Sequence, residues 1–217
     1  MDYRTVAVVA AAIVAVMVAG SAWAVVALPA DALVPIHFGI DGKPDAWARP
    51  LFGLFVLPAV ATGVLILFIV LARSADGGLA RSGVAFRTVM LAVIGLLAAT
   101  HAVMIAIALG HEFNVTRIVI LLAGLLLIVT GNVLGKVRPN HWLGIRTTWT
   151  LADVQVWDQT HRFAGWLFVI AGALLAIAAV LNPGGGVLAA ILLFIVAVVT
   201  IAPFAKSYLL WRDRQHI

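Results

Sequence analysis

The stretch "LFGLFVLPAVATGVLILFIVLA", Leu51–Ala72, contains no charged residue. A bilayer core is crossed by a helix of roughly 20 apolar residues. The apolar residues here form an unbroken run rather than a stripe, the pattern of a helix surrounded by lipid or by other buried helices. Five more runs of this kind follow when the chain is read outward: Thr5–Leu28, Phe86–Leu109, Thr116–Gly135, Phe163–Leu181 and Val187–Ser207. Each is bounded by charges, prolines or glycines. "SAWA", Ser21–Ala24, resembles a cleavage site, but its apolar run is long for a removed leader and reads as a span. The whole chain is 64% hydrophobic and 11% charged, against about 25% charged in a soluble domain. The predicted fold is an all-α, polytopic transmembrane bundle of six spans. The absence of cysteine excludes disulfides, thiolate metal sites and a cysteine nucleophile. The net charge of +5 is no nucleic-acid signal in such a chain, because its meaning depends on which side of the membrane each charge occupies.

Orientation follows from the basic residues, which concentrate in cytoplasmic loops. Arg4, Arg73, Arg81, Arg87, Lys136, Arg138, Arg146, Arg162, Lys206, Arg212 and Arg214 fall on one side; Lys43, Arg49 and Arg117 fall on the other. Both termini are therefore expected in the cytoplasm of a bacterial cell. Trp142, Trp149, Trp157, Trp166 and Trp211 sit near the same boundary, as interfacial anchors do.

The longest polar interruption is "PNHWLGIRTTWTLADVQVWDQTHR", Pro139–Arg162. Gly135, Lys136, Arg138 and Pro139 read as a helix stop. Thr150 with Asp153 resembles a capping box, with a helix from near Leu151 running into the fifth span. On it Val154, Trp157, His161 and Gly165 share a face, while Asp153, Asp158 and Arg162 point to water, the last two as an i,i+4 pair. Arg146, Thr147, Thr148 and Thr150 concentrate donors before a helix start, which suits an anion or an acidic partner. The plainer alternative is an Arg146 that snorkels or pairs with Asp153 or Asp158. Asn132 reads as a buried amide bonded across helices, with Thr200 at similar depth. Gly131-x-x-x-Gly135 permits close approach of a neighbouring helix.

Outside, "LPADALVPIHFGIDGKPDAWARP" joins the first two spans. Its prolines and the Asp41-Gly42 turn signal suggest a small hairpin on the bundle. His37, Asp41 and Asp45, joined by His111 and Glu112, are candidate metal ligands; the structural alternative has His37 capping backbone and the aspartates serving turns. Within the third span His101 is ionisable, which marks a functional candidate by default. Ser21 lies at similar depth, and a hydrogen bond between the two is the structural alternative.

Several motifs together resemble the SdpI family of bacterial membrane proteins. They are Gly131–Asn132, Pro139–Asn140, "GIRTTWTL" at Gly144–Leu151 and "VWDQTHRFAGW" at Val156–Trp166. Thr148 departs from the proline usual in the family. The outer P-x-H-F and G-x-P-D elements resemble an uncharacterised domain that often precedes the SdpI region. The resemblance divides the chain into residues 1–80, with the first two helices and outer loop, a connecting third span at 81–115, and an SdpI-like region at 116–217. It implies protection against a secreted membrane-active peptide toxin met on the outer face, and a signal passed to a cytosolic regulator. The residues it marks for ligand or partner binding are Asn132, Asn140, Gly144, Arg146, Thr147, Trp149, Trp157, His161 and Arg162.

Two other classes compete. A small transporter or channel would have to build its path from His101, Asn132 and a few hydroxyls, with no embedded carboxylate or lysine to form a relay. A membrane metalloenzyme would need a constellation that shows no recognisable spacing: no G-x-S-x-G, H-E-x-x-H or P-loop is present. The expectation is a non-enzymatic protein without a cofactor, in contact with lipid and not with nucleic acid.

Overall fold

A computed structural model describes residues 2–29, 31–39, 41–73 and 82–215. Among them are six helices long and apolar enough to cross a membrane: α1 (Tyr3–Ala27), α2 (Pro50–Arg73), α3 (Gly83–Ala108), α4 (Val115–Leu134), α6 (Val154–Leu181) and α7 (Gly185–Arg214). A short helix, α5 (Thr148–Ala152), precedes α6, and β1 (Val34–Phe38) pairs antiparallel with β2 (Pro44–Ala48) between α1 and α2. The expected hairpin is present, its turn carried by Gly42 at φ 79°. Among the eleven cations assigned to one side, Arg81 lies outside the described residues.

The helices form two layers of packing. In one, Val6, Ala10, Val14 and Met17 of α1 bury against Ala61 and Leu65 of α2 and Met90 and Ile94 of α3. In the other, Ile120 of α4 meets Ala171 and Leu175 of α6 and Leu188 and Ile195 of α7. The closest contact is between α4 and α6. A Cβ on Gly131 would lie 2.7 Å from the Gly165 carbonyl oxygen, and one on Gly124 would lie 2.7 Å from that of Gly172. The two glycine pairs stand two turns apart on each helix, the spacing of a left-handed antiparallel crossing. Gly131 thus does what the G-x-x-x-G spacing suggested, but toward α6 of its own chain. Gly135 contributes no such tight contact; a Cβ there would meet only the Arg162 Cα at 3.7 Å.

Contacts sort the connections into two ends. At one, the Tyr3 hydroxyl donates to Phe68 O at 3.4 Å and the Arg138 N–H to Ser82 Oγ at 2.8 Å. Arg214 there meets Asp153 at 2.6 Å. At the other, the hairpin lies on α2, a Cβ at Gly42 would touch Thr116 Oγ1 at 3.0 Å, and Asn114 reaches Asn182 at 3.5 Å. The cation-rich segments share the first end; Lys43, Arg49 and Arg117 belong to the second.

Some expectations change. The helix into the fifth span begins at Val154 rather than near Leu151, because Asp153 adopts an extended backbone (φ −140°, ψ 120°) and caps α6 by accepting from Gln155 N–H and Val156 N–H. The capping box is built by Thr147 and Thr150 on α5, not by Thr150 and Asp153. Val154 is 61% exposed and leaves the face shared by Trp157, His161 and Gly165. Asn132 is exposed and donates along its own helix to Ile128 O, and Thr200 likewise bonds back to Val196 O. Both satisfy themselves locally, which frees them to face lipid.

Candidate functional site

The loop from Gly135 to Asp153 is built around its own polar side chains. Asn140, 3% exposed, accepts from the Trp142 and Leu143 N–H groups at 2.7 Å each and donates to Arg138 O and Leu143 O. One side chain therefore ties a turn that could form no ladder. Gly144 follows at φ 111°, and a Cβ there would overlap His161 Nε2, so only glycine lets the chain pass over the imidazole. That approach sets the Ile145 N–H 2.9 Å from Nε2. A backbone N–H can only donate, so Nε2 accepts. Nδ1 then carries the proton and donates to Trp157 O at 2.9 Å. His161 is a neutral imidazole in one tautomer, stacked on Trp157 with centroids 4.1 Å apart. Trp157 is fully buried and donates from Nε1 to Val137 O at 2.8 Å. It is a core ring holding the end of α4, not an interfacial anchor.

Two of the donors expected to hold an anion, Thr147 and Thr150, are engaged within the fold. Thr147 and Thr150 cap α5, Thr150 also donates to Ile145 O at 2.8 Å, and Thr147 reaches Ser207 of α7 at 3.2 Å. Arg146 donates to His141 O and pairs with neither Asp153 nor Asp158. Asp158 meets Arg138 at 4.0 Å rather than Arg162. Trp149 enters an aromatic group on α7, with Phe204 at 5.2 Å and Tyr208 at 5.1 Å. Burial pushes the Asp153 carboxyl up, but hydrogen bonds from Gln155, Val156 and Arg214 outweigh this and hold it below 3.8. Arg162 is exposed on α6, away from this knot. Ser207 and Arg214 were not legible as partners, since nothing local ties the last helix to a loop some sixty residues earlier.

At the hairpin end His37 Nδ1 lies 2.5 Å from Asp45 Oδ1, a cross-strand pair in place of the expected backbone cap. Asp41 accepts from Lys43 N–H and does serve the turn. Among the described residues no group of three His, Asp or Glu side chains could hold a metal ion, and His111 and Glu112 do not join His37. Beneath the hairpin is a cavity of about 350 Å³ between α2, α3 and α4. Ile36 and Phe38 roof it, and Val56, Thr100, Val103, Ile107 and Val119 line it, with no charged residue.

His101 and Ser21 serve α2. Pro58 has no N–H for the carbonyl of Leu54, one turn before it. Ser21 Oγ donates to that carbonyl at 2.7 Å, and His101 Nε2 lies 3.1 Å from it and 2.9 Å from Ser21 Oγ. The three spans are joined at an acceptor that the proline leaves open.

Residues 136–206 match the SdpI/YfhL protein family, and residues 12–62 match a domain of unknown function (DUF1648). Over 145 residues the chain is 30% identical to the "Immunity protein SdpI" of Bacillus subtilis (strain 168), covering 66% of this chain and 68% of that protein. No solved structure matches.

Proposed function

Because the chain belongs to the SdpI family and is a multi-pass protein of the bacterial cytoplasmic membrane, we propose that it confers immunity against a membrane-active peptide arriving from outside. In this reading the cation-rich end faces the cytoplasm, following the basic-residue asymmetry, and the hairpin faces outward. The hairpin, with the outer ends of α2, α3 and α4 beneath it, receives the peptide, and the rest of the SdpI-like region responds to it. The family relation points to a non-enzymatic role.

The observation that carries the proposal is the cavity under the hairpin. It is apolar and bounded by spans on three sides. A peptide that partitions into a membrane presents apolar side chains there, and an uncharged cavity favours them over an ionic solute. The same uncharged lining disfavours a transport path for ions. On the cytoplasmic side the loop that ties α4, α6 and α7 together carries an exposed Trp142, a surface on which a regulator could read a change in the bundle.

The test is survival of a sensitive bacterium challenged with membrane-active peptides while expressing the wild-type chain, Val103→Trp, His37→Ala or Arg146→Ala, with membrane levels matched. Protection by wild type that Val103→Trp abolishes supports the cavity as the receiving site. Loss in Arg146→Ala with normal insertion gives the loop a part in immunity. No protection against a broad panel overturns the proposal.

A further inference from the structure

A second groove lies between α4 and α6 at the cation-rich end. Its floor is the bare backbone of Gly131, Gly135 and Gly165, its volume is about 240 Å³, and Lys136, Arg162 and Trp166 stand along it. The glycines that bring the two helices into contact also keep this outer furrow open, with Asn132 and Val169 at its sides. Lys136 and Arg162 are exposed, and among the described residues neither side chain has a hydrogen bond or ion pair. Trp166 is 69% exposed, one turn deeper than Arg162. Two exposed cations, an exposed indole and a shallow furrow lined otherwise by glycine backbone, Asn132 and Val169 thus occur together at the cation-rich end.

We propose that this groove is a binding site for an anionic phospholipid, distinct from both the folded loop and the cavity under the hairpin. The lipid phosphate lies between Lys136 and Arg162, Trp166 packs against the glycerol region, and an acyl chain runs along the furrow past Val169. The carbonyl end of α4 carries about half a negative charge and opposes an anion. Two full positive charges outweigh it. Arginine gives the phosphate planar, forked donors, and lysine adds a point charge. Basic clefts between spans on the cytoplasmic side have the chemistry to hold such headgroups.

The experiment uses the full-length chain in vesicles containing either dibrominated phosphatidylglycerol or dibrominated phosphatidylcholine at equal mole fraction. Quenching of Trp166 is read as the difference between wild type and Trp166→Phe. The expected result is a preference for the anionic lipid of about fivefold per cation. It collapses toward one in Lys136→Gln/Arg162→Gln, survives in the charge-retaining Lys136→Arg/Arg162→Lys, and is unchanged in Arg117→Gln at the far end. Equal quenching of the wild type by both lipids overturns the site without reference to any variant. A preference that persists in the double glutamine variant assigns it to the general surface charge and overturns the site equally.

Discussion

Replacing Pro58 by alanine and His101 by leucine, singly and together, isolates the join between the first three spans. In the native chain the Leu54 carbonyl receives Ser21 at 2.7 Å and His101 at 3.1 Å, because residue 58 cannot donate. Interhelical hydrogen bonds inside membranes are worth about 0.6 kcal/mol on average and about 1.7 at most. Removing the imidazole also leaves Ser21 with one partner fewer, so His101→Leu should cost about 1–2 kcal/mol. With alanine at 58 the helix supplies its own donor to Leu54, and the same substitution should cost less. The expected coupling is about 0.5–1.5 kcal/mol, read by denaturant-titrated unfolding in mixed micelles followed through helicity. Working with the cycle rather than the single variants cancels what Pro58 itself contributes to the shape of α2. If the two costs add to within about 0.3 kcal/mol, the carbonyl left open by the proline is not what holds His101 in place.

Gly131→Ala and Gly172→Ala should each destabilise the α4–α6 pair by about 1–3 kcal/mol, since the new methyl meets backbone that cannot step aside; the same unfolding titration measures it, and neutral variants would deny the close contact. Gly144→Ala should cost at least about 2 kcal/mol, through its positive φ and the collision with His161. Loss of the near-ultraviolet circular dichroism of the Trp157–His161 stack is the expected sign. The depressed Asp153 carboxyl contributes stability that is present above the ordinary carboxylate range and is lost as pH falls through its lower folded value. The aromatic signal of Trp149, Tyr208 and Trp211 should therefore weaken at acid pH, and Asp153→Asn should flatten that dependence.

The spans were legible because unbroken apolar runs such as Leu51–Ala72 leave few other folds open to a chain. The hairpin was legible because Pro29, Pro35 and Gly42 punctuate its loop. The Ser21–His101 contact could be expected from depth alone, but its reason lay on a third helix, at the carbonyl one turn before Pro58. The loop misled where residue types were read without their partners. Thr147 and Thr150 looked like free donors yet satisfy each other and Ser207, and Trp157 looked like a boundary ring yet is buried against Val137 and His161. Polar residues at a membrane edge are consumed by whichever group passes nearest, local for Asn140 and Thr150 but distant for Thr147 at Ser207 and Trp157 at Val137.

The paired glycines of α4 and α6 also limit how these two helices can move against each other. With backbones in contact at Gly124–Gly172 and again at Gly131–Gly165, a slide of either helix by one turn would drive glycine carbonyls into Ile128 or Phe168. That pair is a fixed post within the bundle. Helix α7 carries Pro203 within its continuous length, and beyond the proline it grips the loop through Ser207 and Arg214. A tilt of this last helix would pull on Thr147 and Asp153 together, so the far end of α7 and the loop are bound to move as one piece.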